Sequence, residues 1–219
     1  MIQALQHHKT NIRFIEDERT SIIIGTLLHL PTQDILEIVS NAINNEALKL
    51  IITNAKHLTK IPKFWPHYPS EGTSRTNYVE PDIVLSFDNF DLIIEAKKDD
   101  DTPHDETQWK DELTSYENKY GKKRKIYLIA LGNKAPNTAD NRIFVCSWYN
   151  LLNSIEKEIR KTLKETKYFT DNNKYRILLD CKNAFELLGY PTSWLYDMCD
   201  LEYESINIES IKEIKSWKI

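Results

Sequence analysis

The sequence has no apolar run long enough to cross a membrane as a helix. Such a helix needs about 20 consecutive apolar residues, and the most apolar stretch, residues 22–30, is interrupted by a glycine, a threonine and a histidine. The first ten residues, MIQALQHHKT, lack the apolar segment of a secretory signal peptide. These absences predict a soluble, cytoplasmic protein with no membrane partner.

Cysteine is scarce as well. Cys146, Cys181 and Cys199 are the three cysteines among 219 residues, and none of them has the close spacing of paired zinc ligands. This pattern argues against a disulfide framework and against a zinc cluster, and it suits a reducing compartment. We expect each cysteine to be an ordinary packing residue.

What the sequence does contain is a β-hairpin pattern. Residues 79–87 and 90–97 are apolar-rich runs of strand length, and Asp88-Asn89 between them is a pair able to adopt the positive φ angles of a tight turn. A two-residue turn pairs the last residue of the first run with the first residue of the second. The numbers of all cross-strand partners then sum to 177.

This register places three charged residues on one face of the hairpin. Asp82 lies opposite Glu95, with their β-carbons about 5 Å apart, and Lys97 shares the face because side chains alternate along a strand. A slip of one residue would move Asp82 into the opposite row, so the pattern favours this register. The residues of that opposite row are all apolar: Ile83, Leu85, Phe87, Phe90, Leu92, Ile94 and Ala96.

Two facing carboxylates indicate a metal site. Val84 and Ile93 share their face, so the carboxylates are partly buried and repel each other unless a cation lies between them. Oxygen ligands without a nearby cysteine or histidine favour Mg²⁺ or Mn²⁺ over Zn²⁺. The alternative is an ordinary solvated strand face, on which acidic and basic residues are common.

Asp82, the twelve residues after it and then Glu95-Ala96-Lys97 resemble the active-site signature of the PD-(D/E)XK nuclease superfamily, which has the restriction-endonuclease-like fold. The resemblance covers about residues 12–160 and is strongest at these positions. A helix before the hairpin often supplies another acidic ligand in this superfamily. Glu16 matches that position best, with Asp17 second, although both also suit the start of a helix.

The resemblance implies a metal-dependent deoxyribonuclease, an endonuclease rather than an exonuclease. Lys97 would orient the attacking water and offset the developing negative charge, and a glutamine that follows the E-x-K strand in the family is matched by Gln108. Lys98 has the wrong parity for this role. The implied metal ligands for Mg²⁺ or Mn²⁺ are Glu16, Asp82, Glu95 and the Ala96 carbonyl.

The net charge of −4 is unusual for a protein that binds a polyanion, but phosphate binding depends on local charge. The run KYGKKRK offers Lys122, Lys123 and Arg124 as nucleic-acid contacts, with a solvated turn as the alternative. The loop 60–78 offers Lys63 and Arg75 among aromatic residues. Those aromatic residues could stack on bases or pack the loop against the protein body.

The order of elements predicts a three-layer α/β fold, with a central mixed sheet flanked by helices. We expect residues 1–160 to form the nuclease-like core and 161–219 to form a helical C-terminal extension packed on it, a candidate homodimer interface by resemblance. The predicted helices cover residues 16–30, 33–58, 106–120, 151–166, 177–188 and, after a break at 189–191, 193–219. The predicted strands beyond the hairpin cover 125–131 and 142–147.

Two functions stay open from the sequence alone. The first is a nuclease that cleaves DNA. The second is a catalytically inactive nuclease-fold module that binds nucleic acid or protein. The complete Asp82, Glu95 and Lys97 set favours the nuclease, since the loss of any one of them would have indicated the inactive module.

Overall fold

In a computed structural model, the described residues are 16–43, 45–103, 105–133, 138–165 and 171–192, and they form six helices and seven strands. The helices are α1 (Glu16–Leu27), α2 (Thr32–Ala42), α3 (Glu46–Thr53), α4 (Glu106–Tyr120), α5 (Trp148–Glu165) and α6 (Asn173–Leu187). The strands are β1 (Lys63–Phe64), β2 (Tyr68–Pro69), β3 (Tyr78–Val79), β4 (Ile83–Ser86), β5 (Asp91–Ala96), β6 (Ile126–Leu131) and β7 (Ile143–Cys146). None of the helices formed by these residues combines the length and the apolar character needed to span a membrane.

Five strands form one mixed sheet in the order β1-β4-β5-β6-β7. β1, β4 and β5 are antiparallel neighbours, whereas β5, β6 and β7 run parallel to one another. β2 and β3 pair with each other in a separate two-stranded ribbon. The predicted mixed sheet is therefore confirmed, and β6 and β7 lie where the apolar runs predict them.

The hairpin of β4 and β5 has the predicted register. Ile83 faces Ile94, so cross-strand partners do sum to 177, and the Phe87 N–H donates to the Phe90 carbonyl at 2.9 Å. The turn, however, differs from the prediction, because neither of its two residues has a positive φ angle. The Arg124 guanidinium instead donates to both carbonyls that flank the turn. Tertiary contacts thus hold a turn that local backbone preference alone does not explain.

Helices cover both faces of the sheet. On one face, the apolar row of the hairpin packs with buried residues of α1, α2, α3, α5 and α6. On the other face, Val84 and Ile93 pack with Trp109, Leu113 and Tyr116 of α4. The protein therefore has an α/β architecture in which a mixed sheet lies between helices.

The second helix is shorter than predicted. Apolar periodicity predicts one helix over residues 33–58, but α2 and α3 are separate helices. Ile43 is extended, and the Asn45 side chain accepts a hydrogen bond from the Leu48 N–H at 3.1 Å, which caps α3. The prediction is wrong because a local asparagine cap outweighs the continued apolar spacing.

The fifth helix begins earlier than predicted, at Trp148 rather than at 151. The Asp100 carboxylate accepts hydrogen bonds from the N–H groups of Trp148 at 2.6 Å and Tyr149 at 3.2 Å. Backbone N–H groups in the first turn of a helix have no partner within the helix. A carboxylate from the loop after β5 therefore allows the helix to start directly after β7.

The sixth helix packs against α1 and α5, and four of its residues join the main core: Leu178, Cys181, Ala184 and Phe185. Cys146 is buried as well, as the packing role predicts, whereas Cys199 lies outside the described residues. The boundary expected at residue 160 falls within α5. Since residues 193–219 lie outside the described part, the C-terminal extension stays a prediction.

One charged side chain is buried at the start of β5. Asp91 has no exposed surface, and its Oδ2 accepts a hydrogen bond from Arg124 Nε at 2.5 Å. The Tyr116 hydroxyl donates to the same oxygen. A buried carboxylate is costly unless it is paired, so Arg124 stabilises both the sheet and the hairpin turn.

Candidate metal centre

Three carboxylates from different parts of the chain converge at one end of the hairpin. Glu16, Asp82 and Glu95 each offer an oxygen, and these oxygens all lie within 4.8 Å of one another. Asp82 immediately precedes β4, Glu95 lies in β5, and Glu16 is the first residue of α1. Asp82 and Glu95 are buried, with 6% and 3% of their surfaces exposed. The two sequence-predicted hairpin acids and the predicted acid of the first helix are therefore together.

Backbone N–H groups orient all three carboxylates. The Ala96 N–H donates to Asp82 Oδ2 at 2.8 Å, and the Asp82 N–H lies 3.4 Å from Glu95 Oε2. The Lys98 N–H donates to Glu16 Oε2 at 3.0 Å. Because the donors belong to the strand ends, the hairpin register itself sets the carboxylate positions. The predicted role of the Ala96 carbonyl stays a prediction.

Lys97 and Gln108 complete the polar cluster. Lys97 Nζ lies 3.1 Å from Glu95 Oε1, 3.1 Å from Gln108 Oε1 and 3.7 Å from Glu16 Oε1. Gln108 Nε2 donates to the same Glu95 oxygen at 2.6 Å. Gln108 lies in the first turn of α4. Its hydrogen bond to Lys97 therefore lets α4 fix the position of the lysine side chain. Lys98 is exposed.

The buried environment of Asp82 and Glu95 disfavours their ionised forms. Burial and the negative charge of Glu95 raise the pKa of Asp82 to about 8. Burial also raises the pKa of Glu95, against the opposing effect of Lys97. Burial alone would lower the pKa of Lys97, but the charges of Glu95 and Glu16 raise it. Lys97 is therefore an ammonium beside carboxyl groups that need a further cation to ionise fully.

A fourth carboxyl group, which the sequence did not predict, lies beside Glu95. Glu112 of α4 is 1% exposed, and neither of its oxygens receives a hydrogen bond from a donor group in the described structure. Burial and the charges of Glu95 and Asp82 raise its pKa well above the usual range. This favours the neutral acid, which is able to donate a hydrogen bond to Glu95. The sequence does offer one signal for Glu112: it lies four residues after Gln108, so the two side chains share a face of the helix.

The stability of the metal-free protein is expected to depend on Asp82. Its pKa of about 8 exceeds the ordinary value of 3.8, so folding takes up a proton between these two pH values. The free energy of unfolding should therefore fall as pH rises from about 5 to 8, with a slope of up to ~1.4 kcal/mol per pH unit for one proton. Urea unfolding in EDTA at several pH values measures this slope. Asp82→Asn should make the slope shallower, since Glu95 and Glu112, whose pKa values are also raised, remain, and an unchanged slope would contradict the assignment.

The predicted nucleic-acid contacts lie in two places. Arg75 borders a cavity of about 230 Å³ that Gln108 and Glu112 also line, so it lies near two residues that interact with Glu95. Lys122 and Lys123 are exposed between α4 and β6, at the opposite end of the sheet. Lys63 Nζ lies 3.0 Å from the Tyr120 hydroxyl at the end of α4. Arg124 is occupied by Asp91 and the turn carbonyls, so four of the five cations lie away from the carboxylates.

A second group of acids has its own cations. Asp34, Glu37 and Glu158 also bring carboxylate oxygens within 4.8 Å of one another. Lys174 Nζ lies 2.7 Å from Asp34 and 2.5 Å from Glu158, and Lys161 Nζ lies 2.8 Å from Glu37. Two lysines thus offset the charges of this group, whereas Lys97 is the one lysine paired with the hairpin group among the described residues, so the hairpin group is the better metal centre.

A glycine after β6 supports the loop that carries Lys97. Gly132 has φ +83°, and a β-carbon there would lie 2.8 Å from Trp148 Nε1 and 3.0 Å from the Lys97 carbonyl oxygen. The Trp148 Nε1–H donates to that carbonyl at 2.7 Å. Gly132→Ala would therefore both strain the backbone and displace the indole from Lys97.

We expect Gly132→Ala to lower the free energy of unfolding by about 2–3 kcal/mol, from backbone strain and a weakened hydrogen bond. Gly189→Ala is the matched control, because Gly189 also has φ +83° but has open space around its α-carbon. That control should show the strain alone, about 1–2 kcal/mol. Urea unfolding of both variants measures the difference, and equal losses would argue against the Trp148 contact.

Comparison with protein families, with curated proteins and with solved structures finds no match to this chain.

Proposed function

We propose that the protein is a divalent-metal-dependent nuclease that hydrolyses phosphodiester bonds in DNA, with the site and the restriction-endonuclease-like fold of the PD-(D/E)XK superfamily. The observation that supports this most is the convergence of Glu16, Asp82 and Glu95 around the Lys97 ammonium. The mixed sheet with an antiparallel hairpin agrees with the same proposal. A set of like charges this close and this buried is costly without a cation.

The residues present fit Mg²⁺ or Mn²⁺. The three carboxylates are hard oxygen donors, and no cysteine or histidine of the described residues belongs to the cluster. Glu16, Asp82 and Glu95, with the Ala96 carbonyl, would hold the ion. A divalent cation there supplies a Lewis acid that polarises a phosphate oxygen and makes water more acidic.

Lys97 acts as a donor in this proposal. Its neighbouring carboxylates raise its pKa, so it stays protonated and is unsuited to removing a proton from water. An ammonium at this place donates hydrogen bonds to the attacking water or to a phosphate oxygen, and it offsets developing negative charge. Gln108 keeps Lys97 in place, since its amide oxygen accepts from Nζ while its amide nitrogen donates to Glu95.

DNA would contact the protein near both ends of the hairpin. Arg75 shares a cavity with Gln108 and Glu112, so we expect it to meet a phosphate that flanks the cleaved bond. Lys122 and Lys123 lie about one β5 length away, roughly 17 Å for its six residues. That distance is about the rise of five base pairs, so one duplex could reach both places. We propose that cleavage occurs within DNA strands. A homodimer, with one site per protomer, would be one way to cut both strands of a duplex.

Cleavage assays on four substrates test this proposal. Supercoiled plasmid, linear duplex, circular single-stranded DNA and RNA are incubated with Mg²⁺, Mn²⁺ or EDTA. An endonuclease cuts the circular DNA when either metal is present and leaves it intact in EDTA. Cleavage of linear ends alone would indicate an exonuclease. Binding of DNA without any product would indicate the inactive nuclease-fold module instead.

A further inference from the structure

A second cleft opens where β6 and β7 end. It has a volume of about 580 Å³, within the roughly 300–1,000 Å³ of typical ligand pockets. Its lining includes Asn133, which follows β6, and Ser147, which follows β7, together with Tyr149 and Asn150 of α5 and Tyr190 after α6. The cleft therefore lies beyond the carboxyl ends of the parallel strands, where open α/β sheets commonly bind ligands. We call it the tyrosine cleft.

The tyrosine cleft is attached to the segment that carries Lys97. The Trp148 indole donates to the Lys97 carbonyl at 2.7 Å. Asp100, three residues further along, accepts the N–H groups of Trp148 and Tyr149 and also lines the cleft. A molecule in the cleft would consequently contact the segment that follows Glu95 and Lys97 in the chain.

Two tyrosines form aromatic walls of different kinds. Tyr190 is fixed, because its hydroxyl accepts from Arg19 Nη1 at 3.1 Å and its ring packs against Phe185. Tyr149 is in the first turn of α5 and 48% exposed. Its aromatic side chain is attached to a helix, and about half of that side chain stays accessible. Such a side chain is suited to stacking on a planar ligand.

The remaining lining sets the chemistry of that ligand. Asn133, Ser147 and Asn150 are neutral and polar, and the described residues that line the cleft include no lysine or arginine. The charge of Asp100 faces the first N–H groups of α5, which have no partner within the helix. The cleft therefore suits a neutral planar group with hydrogen-bonding edges rather than a phosphate. A nucleobase has this chemistry, and stacking on aromatic side chains is a general way to bind one.

We infer that the tyrosine cleft binds an unpaired nucleobase of the strand whose phosphate lies at the carboxylates. The inference rests on the proposed nuclease function, and it narrows the substrate class. A base within a duplex is paired and stacked, so it enters such a cleft only after it has left the helix. The favoured substrate is therefore single-stranded DNA, or a duplex with a single-stranded segment or a frayed end.

Binding to two labelled DNAs tests the inference without cleavage. A short fluorescein-labelled oligothymidylate and a blunt duplex of equal length are titrated in EDTA, with fluorescence anisotropy as the readout. Tyr149→Ala should weaken oligothymidylate binding roughly 5- to 150-fold, since stacking contributes about 1–3 kcal/mol per base. The affinity of Tyr149→Phe for oligothymidylate should stay within about twofold of the parent. The affinity for the duplex should also stay within about twofold of the parent in both variants.

Tyr120→Ala is the matched control. Tyr120 is 38% exposed and lies at the far end of α4, beside Lys60 and Lys63. If it, rather than Tyr149→Ala, weakens oligothymidylate binding, the inference is overturned. Equal losses for Tyr149→Phe and Tyr149→Ala would overturn it as well, because a ring alone should suffice. None of these substitutions is expected to unfold the protein, and thermal unfolding of each variant checks that the fold is intact.

The two proposals fail in different ways. Metal-dependent cleavage by the parent protein together with normal oligothymidylate binding by Tyr149→Ala would refute the tyrosine cleft and leave the nuclease. No cleavage by the parent, together with the expected loss of binding in Tyr149→Ala, would refute the nuclease and support the cleft as a nucleobase site.

Discussion

Lys97→Ala is expected to lower the rate of metal-dependent DNA cleavage by at least about 100-fold, the loss found when a preorganised donor to a developing negative charge is removed. Lys97 Nζ lies within 3.1 Å of both Glu95 and Gln108, so its ammonium has one well-defined position. Its removal takes away the cation that faces the reacting phosphate in the proposed mechanism. The measurement is the initial rate of plasmid nicking with saturating Mg²⁺.

Lys98→Ala is the matched control, because Lys98 is the next residue, has the same charge and is exposed on the other side of the strand end. Its cleavage rate should stay within about twofold of the parent. The Lys98 backbone N–H that binds Glu16 is retained in this variant. Similar rates for the parent and for Lys97→Ala would contradict the proposed role of Lys97 in cleavage.

Arg124→Ala is expected to lower the free energy of unfolding by about 3 kcal/mol, because it leaves a buried carboxylate without its cation. Asp91 is fully buried, and Tyr116 would remain as its donor. The value is near the lower end for buried pairs, since the arginine side chain is about one-third exposed. The variant also loses the guanidinium bonds that hold the hairpin turn. Urea unfolding measures the loss.

Lys123→Ala provides the comparison, since Lys123 is exposed and adjacent in the same basic run; its stability should change by less than about 0.5 kcal/mol. Asp91→Asn combined with Arg124→Ala should recover part of the lost stability, because no buried charge then remains. Equal stabilities of Arg124→Ala and Lys123→Ala would contradict the structural role. A loss of DNA binding with unchanged stability would restore the nucleic-acid role predicted for Arg124.

The hairpin could be predicted in detail because its pattern has period two on both strands. Each apolar residue of one face has an apolar partner, so a slip of register would place charges in the core. This constraint also positions Asp82 and Glu95, and it explains why the geometry of the site followed from the sequence. Glu16 needed the family resemblance, since nothing in the spacing alone connects residue 16 with residue 95.

The residues that were missed act through contacts between distant parts of the chain. Arg124 lies in a run of cations and looks like surface charge, but Asp91, 33 positions away, determines its role. Glu112 looks like an ordinary helix glutamate until α4 is placed against the hairpin. Asp100 looks like part of a solvated acidic loop and instead caps α5. Periodicity carries no information about such pairings, which depend on how the elements pack.

The central claim is that a divalent cation binds between Asp82 and Glu95. The most direct test is to soak crystals of the protein in Mn²⁺ and to calculate an anomalous difference map. The account predicts a peak between the two carboxylates, with Glu16 close enough to contribute, and no such peak in Asp82→Asn. A map of the parent protein without a peak at that place, at Mn²⁺ concentrations that support other manganese sites, would contradict the claim.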